Sequence, residues 1–208
     1  MDIELLDEIK EEILFFSKCG FYDREDILET IEDEFIDYEL DLDLISSNID
    51  EIFNMSQDNK DSSDFINLKK AFEDLSKKGI VSIHNNAYDI QEGVEDAFEV
   101  YTHLINNNYS PIGFCFYTLS DIEEVLENKV LSLSYGSFNL EDKSNQSNVE
   151  DLIEDTLKKA QFQFEKTEEQ FNILTFNWQK VYDNKNYSME GAYEDFIKVN
   201  NNEEWLLY

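Results

Sequence analysis

Residues that form phosphate loops, flexible linkers and disulfide frameworks are scarce in this chain of 208 residues. The single proline is Pro111 and there are six glycines, so the sequence contains no low-complexity linker and no glycine-rich cradle for a phosphate. Two cysteines, Cys19 and Cys115, are too few for a disulfide framework, and Cys115 lies in an apolar run that favours a reduced, buried thiol. No motif indicates a cofactor, so we expect none.

Targeting patterns are missing as well. Met1 to Glu4 have neither the basic nor the apolar region of a signal peptide, and no apolar stretch approaches the length of a membrane-spanning helix. We therefore expect a cytoplasmic protein. Arg24 is the only arginine, whereas lysine, asparagine and isoleucine are abundant, which suggests an AT-rich bacterial or phage genome.

Negative charge is what the chain has in excess. Forty-eight Asp and Glu stand against sixteen Lys and Arg, which gives a formal net charge of -32. Aromatic residues make up 14%, a content that disordered acidic tails lack, so we predict a folded protein. A field this negative repels nucleic acid and anionic membranes and attracts basic surfaces. The expected partner is therefore a basic protein, while the oligomeric state stays open.

The apolar pattern changes near residue 78 and predicts an α+β fold. Residues 1–78 repeat apolar side chains every three or four positions, as amphipathic helices do, with Asp23 as an N-cap and Gly79 after the last helix. Residues 79–182 alternate apolar strands with helices, and residues 183–208 form an extension with one short helix. The sequence thus predicts an acidic helical N-terminal region, followed by a mixed sheet of about five strands with helices on one face.

Local signals set finer boundaries within the α+β region. Capping-box patterns that start at Ser120 and Ser147 each predict a helix start. The polar residues 139–148 predict a loop before the second of these helices. A late hairpin is predicted from alternating apolar residues, with Phe162 and Phe164 on its first strand and Leu174, Phe176 and Trp178 on its second.

One acidic tract is the first candidate site. Between Arg24 and Lys60 there are thirteen Asp or Glu and no basic residue. Like charges at helical spacing destabilise a helix by about 0.2–0.5 kcal/mol per pair, so the tract does not serve helix stability. It is either a solvated face of an acidic protein or a surface that binds a basic partner. The residues that we predict to bind are Glu25, Glu29, Glu32, Asp33, Asp37, Glu39, Asp41 and Asp43.

Two other constellations are weaker candidates. Glu95, Glu99 and His103 recur at four-residue spacing and could hold a divalent metal, although acids early and a histidine late in a helix also suit its dipole. A candidate pocket at the strand ends comprises His84, Tyr88, Tyr117 and Asp121. Against an enzyme, no Gly-x-Ser-x-Gly nucleophile motif is present.

Four segments of the α+β region form a pattern: Lys78 to His84 with its Gly-Ile-Val strand, Gly113 to Tyr117 followed by Ser120-Asp121, Leu131 to Gly136, and Phe176 to Lys180. Together they resemble a bacterial family of unknown function. The resemblance covers roughly residues 65–182 and implies a fold without supplying an activity. Many members of that family carry paired cysteines after the first strand, a position that Asn85 to Tyr88 occupy here, so no metal site carries over.

Taken with the charge, these patterns favour a non-enzymatic inhibitor that occupies the nucleic-acid-binding site of a basic protein. Immunity proteins for nuclease toxins, anti-restriction proteins and anti-CRISPR proteins are examples of that class. The alternative is a housekeeping protein that binds a small molecule, or an enzyme, with its site on the α+β layer. The apolar residues Trp205 to Tyr208 are expected to dock on the chain's own core, on a partner or on a second copy.

Overall fold

The computed structural model describes residues 3–56, 60–139 and 143–201. It divides into two compact units. The first unit comprises Met1–Ser62 and Gln179–Asn184, and the second comprises Ser63–Trp178 and Lys185–Tyr208. The change of sequence pattern near residue 78 therefore falls inside the second unit, and the chain returns to the first unit for a short segment after Trp178.

Three helices build the first unit: α1 (Ile3–Cys19), α2 (Arg24–Glu34) and α3 (Leu42–Ser56). They pack against one another through the apolar side of each helical pattern. The predicted N-cap of α2 is confirmed, because the Asp23 side chain accepts hydrogen bonds from the backbone N–H groups of Glu25 and Asp26. Fully buried members of this core include Ile9, Ile13, Cys19, Ile27, Ile31 and Ile45.

Residues 179–184, the returning segment, belong to the first unit and contain a buried lysine. The Lys180 ammonium donates to the carbonyl oxygens of Gly20, at 2.7 Å, and Val181, at 3.1 Å. Its Nζ also lies 4.7 Å from the centre of the Phe21 ring. Gly20 has a φ of +78°, and a Cβ there would lie 2.3 Å from the Lys180 carbonyl oxygen. Glycine at this position therefore permits both the left-handed turn after α1 and the close approach of the returning chain.

The second unit contains a mixed sheet, as predicted for an α+β protein. Its strands are β1 (Ile80–Ile83), β2 (Gly113–Phe116), β3 (Leu131–Ser137), β4 (Phe164–Lys166) and β5 (Gln170–Ile173). The strand order is β1-β2-β3-β5-β4. Strands β1 and β2 are parallel, and the other neighbouring pairs are antiparallel. Because β1 and β2 are parallel, the residues that follow them meet at one edge of the sheet.

Five helices of the described chain belong to this unit: α4 (Ser63–Lys77), α5 (Ile90–Asn106), α6 (Leu119–Asn128), α7 (Lys143–Lys159) and α8 (Met189–Asn201). Helix α4 covers the face that Tyr117 points to, since the Phe72 and Tyr117 rings lie 5.9 Å apart. Helix α5 lies on the opposite face, where a Cβ at Gly93 would be 2.5 Å from the Phe116 ring. Helix α8 contacts β1, α4 and α5, so it covers the edge strand. The sequence predicted helices on one face of the sheet, whereas the structure has helices on both faces.

Two predicted helix starts are wrong. Helix α6 is capped by Thr118, which forms a reciprocal capping box with Asp121, and Ser120 lies inside the helix. Helix α7 begins at Lys143, so Ser147 lies within it and much of the predicted loop 139–148 is helical. Polar composition misled the second prediction, because a helix with one solvated face can begin with a polar turn.

The late hairpin is also shifted. Its second strand is β5, and Leu174, Phe176 and Trp178 follow that strand. Thr175 has a φ of +55°, which interrupts the extended backbone between them. Phe176 and Trp178 are nevertheless buried. The alternation therefore predicted correctly which side chains are buried, but it was wrong in predicting that these residues form a strand. The predicted stop at Gly79 and the short helix in residues 183–208 are confirmed. Within the described residues, none of the helices has the length and hydropathy needed to cross a membrane.

Candidate functional site

Negative charge is concentrated in the first unit. By sequence, that unit has 22 Asp and Glu against 5 Lys and Arg, a net charge of -17 in 68 residues. The second unit has 26 against 11, a net charge of -15 in 140 residues. The first unit therefore has more than twice the net charge per residue, although exposed carboxylates occur on both.

The predicted partner-binding residues share one region of that unit, α2 and the connection to α3. Glu25, Glu29, Glu32 and Asp33 lie on α2, and all are exposed except Glu32, which is half-buried. The others are all exposed: Asp37 and Glu39 lie in the connection, Asp41 precedes α3, and Asp43 lies in its first turn. Asp41 has a structural role as well, because its carboxylate accepts the N–H of Leu44 at 3.1 Å.

Arg24 is the one cation of the α2–α3 region within the described residues, and its guanidinium is already engaged. Its Nε lies 2.9 Å from an Asp50 carboxylate oxygen, and a terminal nitrogen donates to the Asn54 side chain at 2.7 Å. The guanidinium also lies 4.5 Å from the centre of the Phe53 ring. Among the described residues, none of the eight predicted binding carboxylates forms an ion pair, so no cation of that part of the chain neutralises their charge.

Two further carboxylates at the ends of α2 differ in environment. Hydrogen bonds from the backbone, first that of Asp26, hold the pKa of Asp23 below its ordinary value. At the other end of the helix, burial raises the pKa of Glu34. Asp23 therefore stays charged as a cap.

The structure adds exposed apolar side chains that the sequence analysis did not include in the site. Ile36, Tyr38, Leu42 and Leu44 are 75%, 57%, 42% and 39% exposed. They alternate with the acidic residues 37, 39, 41 and 43 in the sequence. That strict alternation was the available signal, but by itself it is equally typical of a half-buried strand.

Two residues of the candidate pocket come together in the second unit. His84 follows β1 and Tyr117 follows β2, and the His84 Nδ1 and the Tyr117 hydroxyl share a hydrogen bond of 2.8 Å. Tyr117 is fully buried, and the His84 ring lies 4.5 Å from the Phe72 ring and 5.4 Å from the Tyr187 ring. These contacts form a packed aromatic cluster around the imidazole.

Tyr88 and Asp121 have other surroundings. Tyr88 is 62% exposed, and its carbonyl oxygen accepts the Ser120 hydroxyl at 2.9 Å. The Asp121 carboxylate accepts the N–H and the hydroxyl of Thr118, both at 2.8 Å, and burial raises its pKa. Asp121 thus serves the N-terminus of α6.

Each unit also has a surface groove. One of about 450 Å³ lies between α1 and α3. The other, of about 410 Å³, lies between α5 and α8. Neither is lined by His84, Tyr117 or the predicted binding carboxylates. The first is lined by Lys10, Glu11, Leu14, Lys18, Ile52, Met55 and Ser56, and the second by Glu99, Val100, His103, Met189, Glu190, Tyr193 and Glu194.

Of the three residues considered for a metal site, Glu99 and His103 face each other at i,i+4 spacing on α5. A Glu99 carboxylate oxygen lies 3.7 Å from the His103 Nε2, and Glu95 accepts a hydrogen bond from Gln91. In the part of the chain that the structure describes, no group of three or more His, Cys, Asp or Glu is arranged to hold a metal ion. The residues Trp205 to Tyr208, expected to dock on a core or a partner, lie outside the described residues.

The chain was compared with curated proteins, with solved structures and with models of protein families. Neither the curated proteins nor the solved structures contain one that matches this chain. A family model does match, over residues 2–182, which extends the resemblance seen in the α+β region through the acidic helices and the returning segment. The chain therefore belongs to the family described as Domain of unknown function (DUF6891).

Proposed function

We propose that this protein binds and inhibits a basic, nucleic-acid-binding protein, with the acidic surface of α2 and the α2–α3 connection in the place of nucleic acid. The observation that carries the proposal is the set of exposed carboxylates between Glu25 and Asp43 that no cation of the described chain neutralises. Exposed carboxylates of this kind are ligands for Lys and Arg, which bind carboxylate and phosphate through the same charge-assisted hydrogen bonds.

The charge density of α2 supports the comparison with nucleic acid. Glu25 and Asp33 are eight residues apart, or about 12 Å along a helix that rises 1.5 Å per residue. Five carboxylates lie within that length when Asp26 is counted, and they give roughly one charge per 3 Å, close to the 3.4 Å per phosphate of one DNA strand. A groove that binds phosphates at such spacing would therefore meet a similar linear charge on this helix.

Repulsion within the surface explains why it would favour a basic partner. Each like-charged pair at i,i+3 or i,i+4 destabilises a helix by about 0.2–0.5 kcal/mol, and a partner's cations would relieve that repulsion on binding. Inhibitors of nuclease toxins, restriction enzymes and CRISPR effectors meet targets of this kind. The same role would place the protein in the cytoplasm, where nucleic-acid enzymes act.

A pull-down with variants tests the proposal. Tagged full-length protein is incubated with a lysate of the host organism at low salt, and bound proteins are eluted by a salt step and identified by mass spectrometry. The test variant carries Glu25→Gln, Glu29→Gln, Glu32→Gln and Asp33→Asn. Its matched control carries four Glu→Gln changes at exposed positions of the second unit, Glu95, Glu123, Glu127 and Glu169.

We expect the unmodified protein and the control to recover one basic nucleic-acid-binding protein that the test variant loses. Affinity should fall steeply between about 50 mM and 200 mM salt, because exposed charges are screened over roughly 8–10 Å near physiological ionic strength. Equal recovery by the test variant and the control would contradict the proposal, as would binding that salt does not weaken.

A further inference from the structure

Exposed apolar side chains are concentrated where the acidic surface bends from α2 to α3. Residues 36–44, the mixed segment, contain four of the eleven large hydrophobic residues recorded as exposed in the described chain: Ile36, Tyr38, Leu42 and Leu44. The remaining seven are distributed over four helices and the turn at Tyr88. The mixed segment is therefore the densest group of water-exposed apolar side chains in the sequence of described residues.

Two of these apolar side chains, Ile36 and Tyr38, lie outside the buried core of the first unit. The residues that flank the mixed segment, Phe35 and Ile45, are 7% and 0% exposed and already anchor its two ends. Between them, Ile36 and Tyr38 remain mostly in water. Clusters of exposed apolar residues on a folded surface mark interaction sites, because their contact with water is unfavourable until a partner covers them.

The charges around these side chains narrow the chemistry of that partner. Asp37, Glu39 and Asp43 alternate with them and make no ion pair within the described chain. A purely apolar groove would have to desolvate these carboxylates without compensation, which is costly. A second copy of the chain is disfavoured because each copy has a net charge of -32. The partner surface must therefore be basic and apolar together.

Surfaces that bind single-stranded nucleic acid have that combination. They pair a positively charged groove, which follows the phosphates, with aromatic side chains on which the bases stack. Sites for the duplex backbone depend on Lys and Arg contacts to phosphate and sugar and do not need exposed stacking platforms. We infer that the mixed segment enters a single-strand site of the partner, with its carboxylates at phosphate positions and with Ile36 and Tyr38 on the platforms that bases occupy. The inference rests on the proposed function and specifies its target.

Displacement from DNA resins tests this inference. A lysate of the host organism is loaded separately on single-stranded and on duplex DNA resin, and each resin is eluted with the full-length protein. The test variant is Ile36→Ser with Tyr38→Ser, which removes the apolar contacts and keeps the charge. The matched control is Ile66→Ser with Tyr88→Ser, which changes the same residue types at exposed positions of the second unit.

We expect the unmodified protein and the control to release a defined protein from the single-stranded resin and not from the duplex resin. The test variant should need at least about tenfold more protein for the same release, because each lost base-like contact weakens a stacking site substantially. Circular dichroism of the variants confirms that both are folded. Since the test variant and the control have the same net charge, a general polyanion effect would release equally with both.

The other outcomes separate this inference from the proposed function. Release from the duplex resin alone overturns the single-strand inference and leaves the inhibitor proposal standing. Equal release from the single-stranded resin by the test variant and the control also overturns the inference, because the apolar residues would then make no contribution. Release from neither resin overturns both.

Discussion

Replacing Lys180 with methionine tests how the returning segment is held in the first unit. The Lys180 side chain has no exposed surface, and its Nζ donates to two backbone carbonyl oxygens, those of Gly20 and Val181. Methionine is of similar length and apolar, so the substitution removes the donor while the space remains filled. Both carbonyl groups then lose the hydrogen bond that the Lys180 ammonium donates.

The magnitude follows from these contacts. A hydrogen bond to a charged group contributes about 1.5–3 kcal/mol, so two such bonds contribute roughly 3–6 kcal/mol. The Asp183 carboxylate, 3.6 Å from Nζ, is 46% exposed, so screening by solvent makes its contribution small. Relief from burying an ammonium group offsets part of the loss. We therefore expect Lys180→Met to lower the free energy of unfolding by about 2–4 kcal/mol.

Urea denaturation followed by far-ultraviolet circular dichroism measures this change. For an m-value of about 2 kcal/mol/M, the transition of the first unit should move down by roughly 1–2 M urea. Lys60→Met is the control, because it removes one exposed positive charge from the same unit. If the two variants unfold within about 0.2 M of each other, the buried ammonium does not hold this segment and the reasoning is refuted.

Three further predictions concern single positions. Gly20→Ala should lower stability by more than about 3 kcal/mol in thermal denaturation, whereas Gly79→Ala should cost only about 1–2 kcal/mol. Both residues have positive φ, but a Cβ would clash with a backbone atom only at Gly20, at 2.3 Å, while at Gly79 the nearest backbone atom would be 3.9 Å away; equal costs would contradict this. Thr118→Ala should cost about 1–2 kcal/mol and Ser120→Ala under about 0.5 kcal/mol, because Thr118 is the cap; the reverse order in urea titrations would refute that assignment. The pKa of Asp23 is lowered in the folded state, so the stabilisation by its carboxylate is present above the unfolded pKa of about 3.9 and is lost as the pH falls through the lowered value. The stability difference between the unmodified protein and Asp23→Ala should therefore shrink in that range of pH. A stability difference independent of pH would count against this role of the Asp23 carboxylate.

Much of the fold follows from short-range patterns in the sequence. Helices α1 and α2 could be predicted because apolar residues recur at helical spacing and Asp23 offers a capping side chain two and three residues before its donors. Strands β1, β2 and β3 could be found from their apolar patterns. The extent of β5 could not, because the apolar alternation continues past its end at Ile173. The start of α6 could not be decided in the same way, because Thr118-x-x-Asp121 and Ser120-x-x-Glu123 both fit a capping box.

The charge of the candidate site could be predicted from the sequence, but its contacts could not. The uncompensated carboxylates from Glu25 to Asp43 were visible in the sequence because charge counts do not depend on folding. The exposure of Ile36 and Tyr38 could not be predicted, because an alternating acidic and apolar segment could equally have formed a strand with its apolar side buried. In the same way, His84 and Tyr117 were correctly placed at strand ends, but the pairing of those two strands and the aromatic neighbours from α4 and Tyr187 come from the tertiary structure.

By itself, the sequence determined the net charge, the α+β class and most element positions, since these depend on composition and on interactions between residues a few positions apart. Only the tertiary structure decided that the Lys180 ammonium is buried and bonded to the carbonyl of Gly20, which is 160 residues earlier. In the same way, only the tertiary structure decided that Ile36 and Tyr38 stay exposed to water. The physical reason is that burial depends on which distant segments close over a side chain, and local periodicity cannot encode that choice.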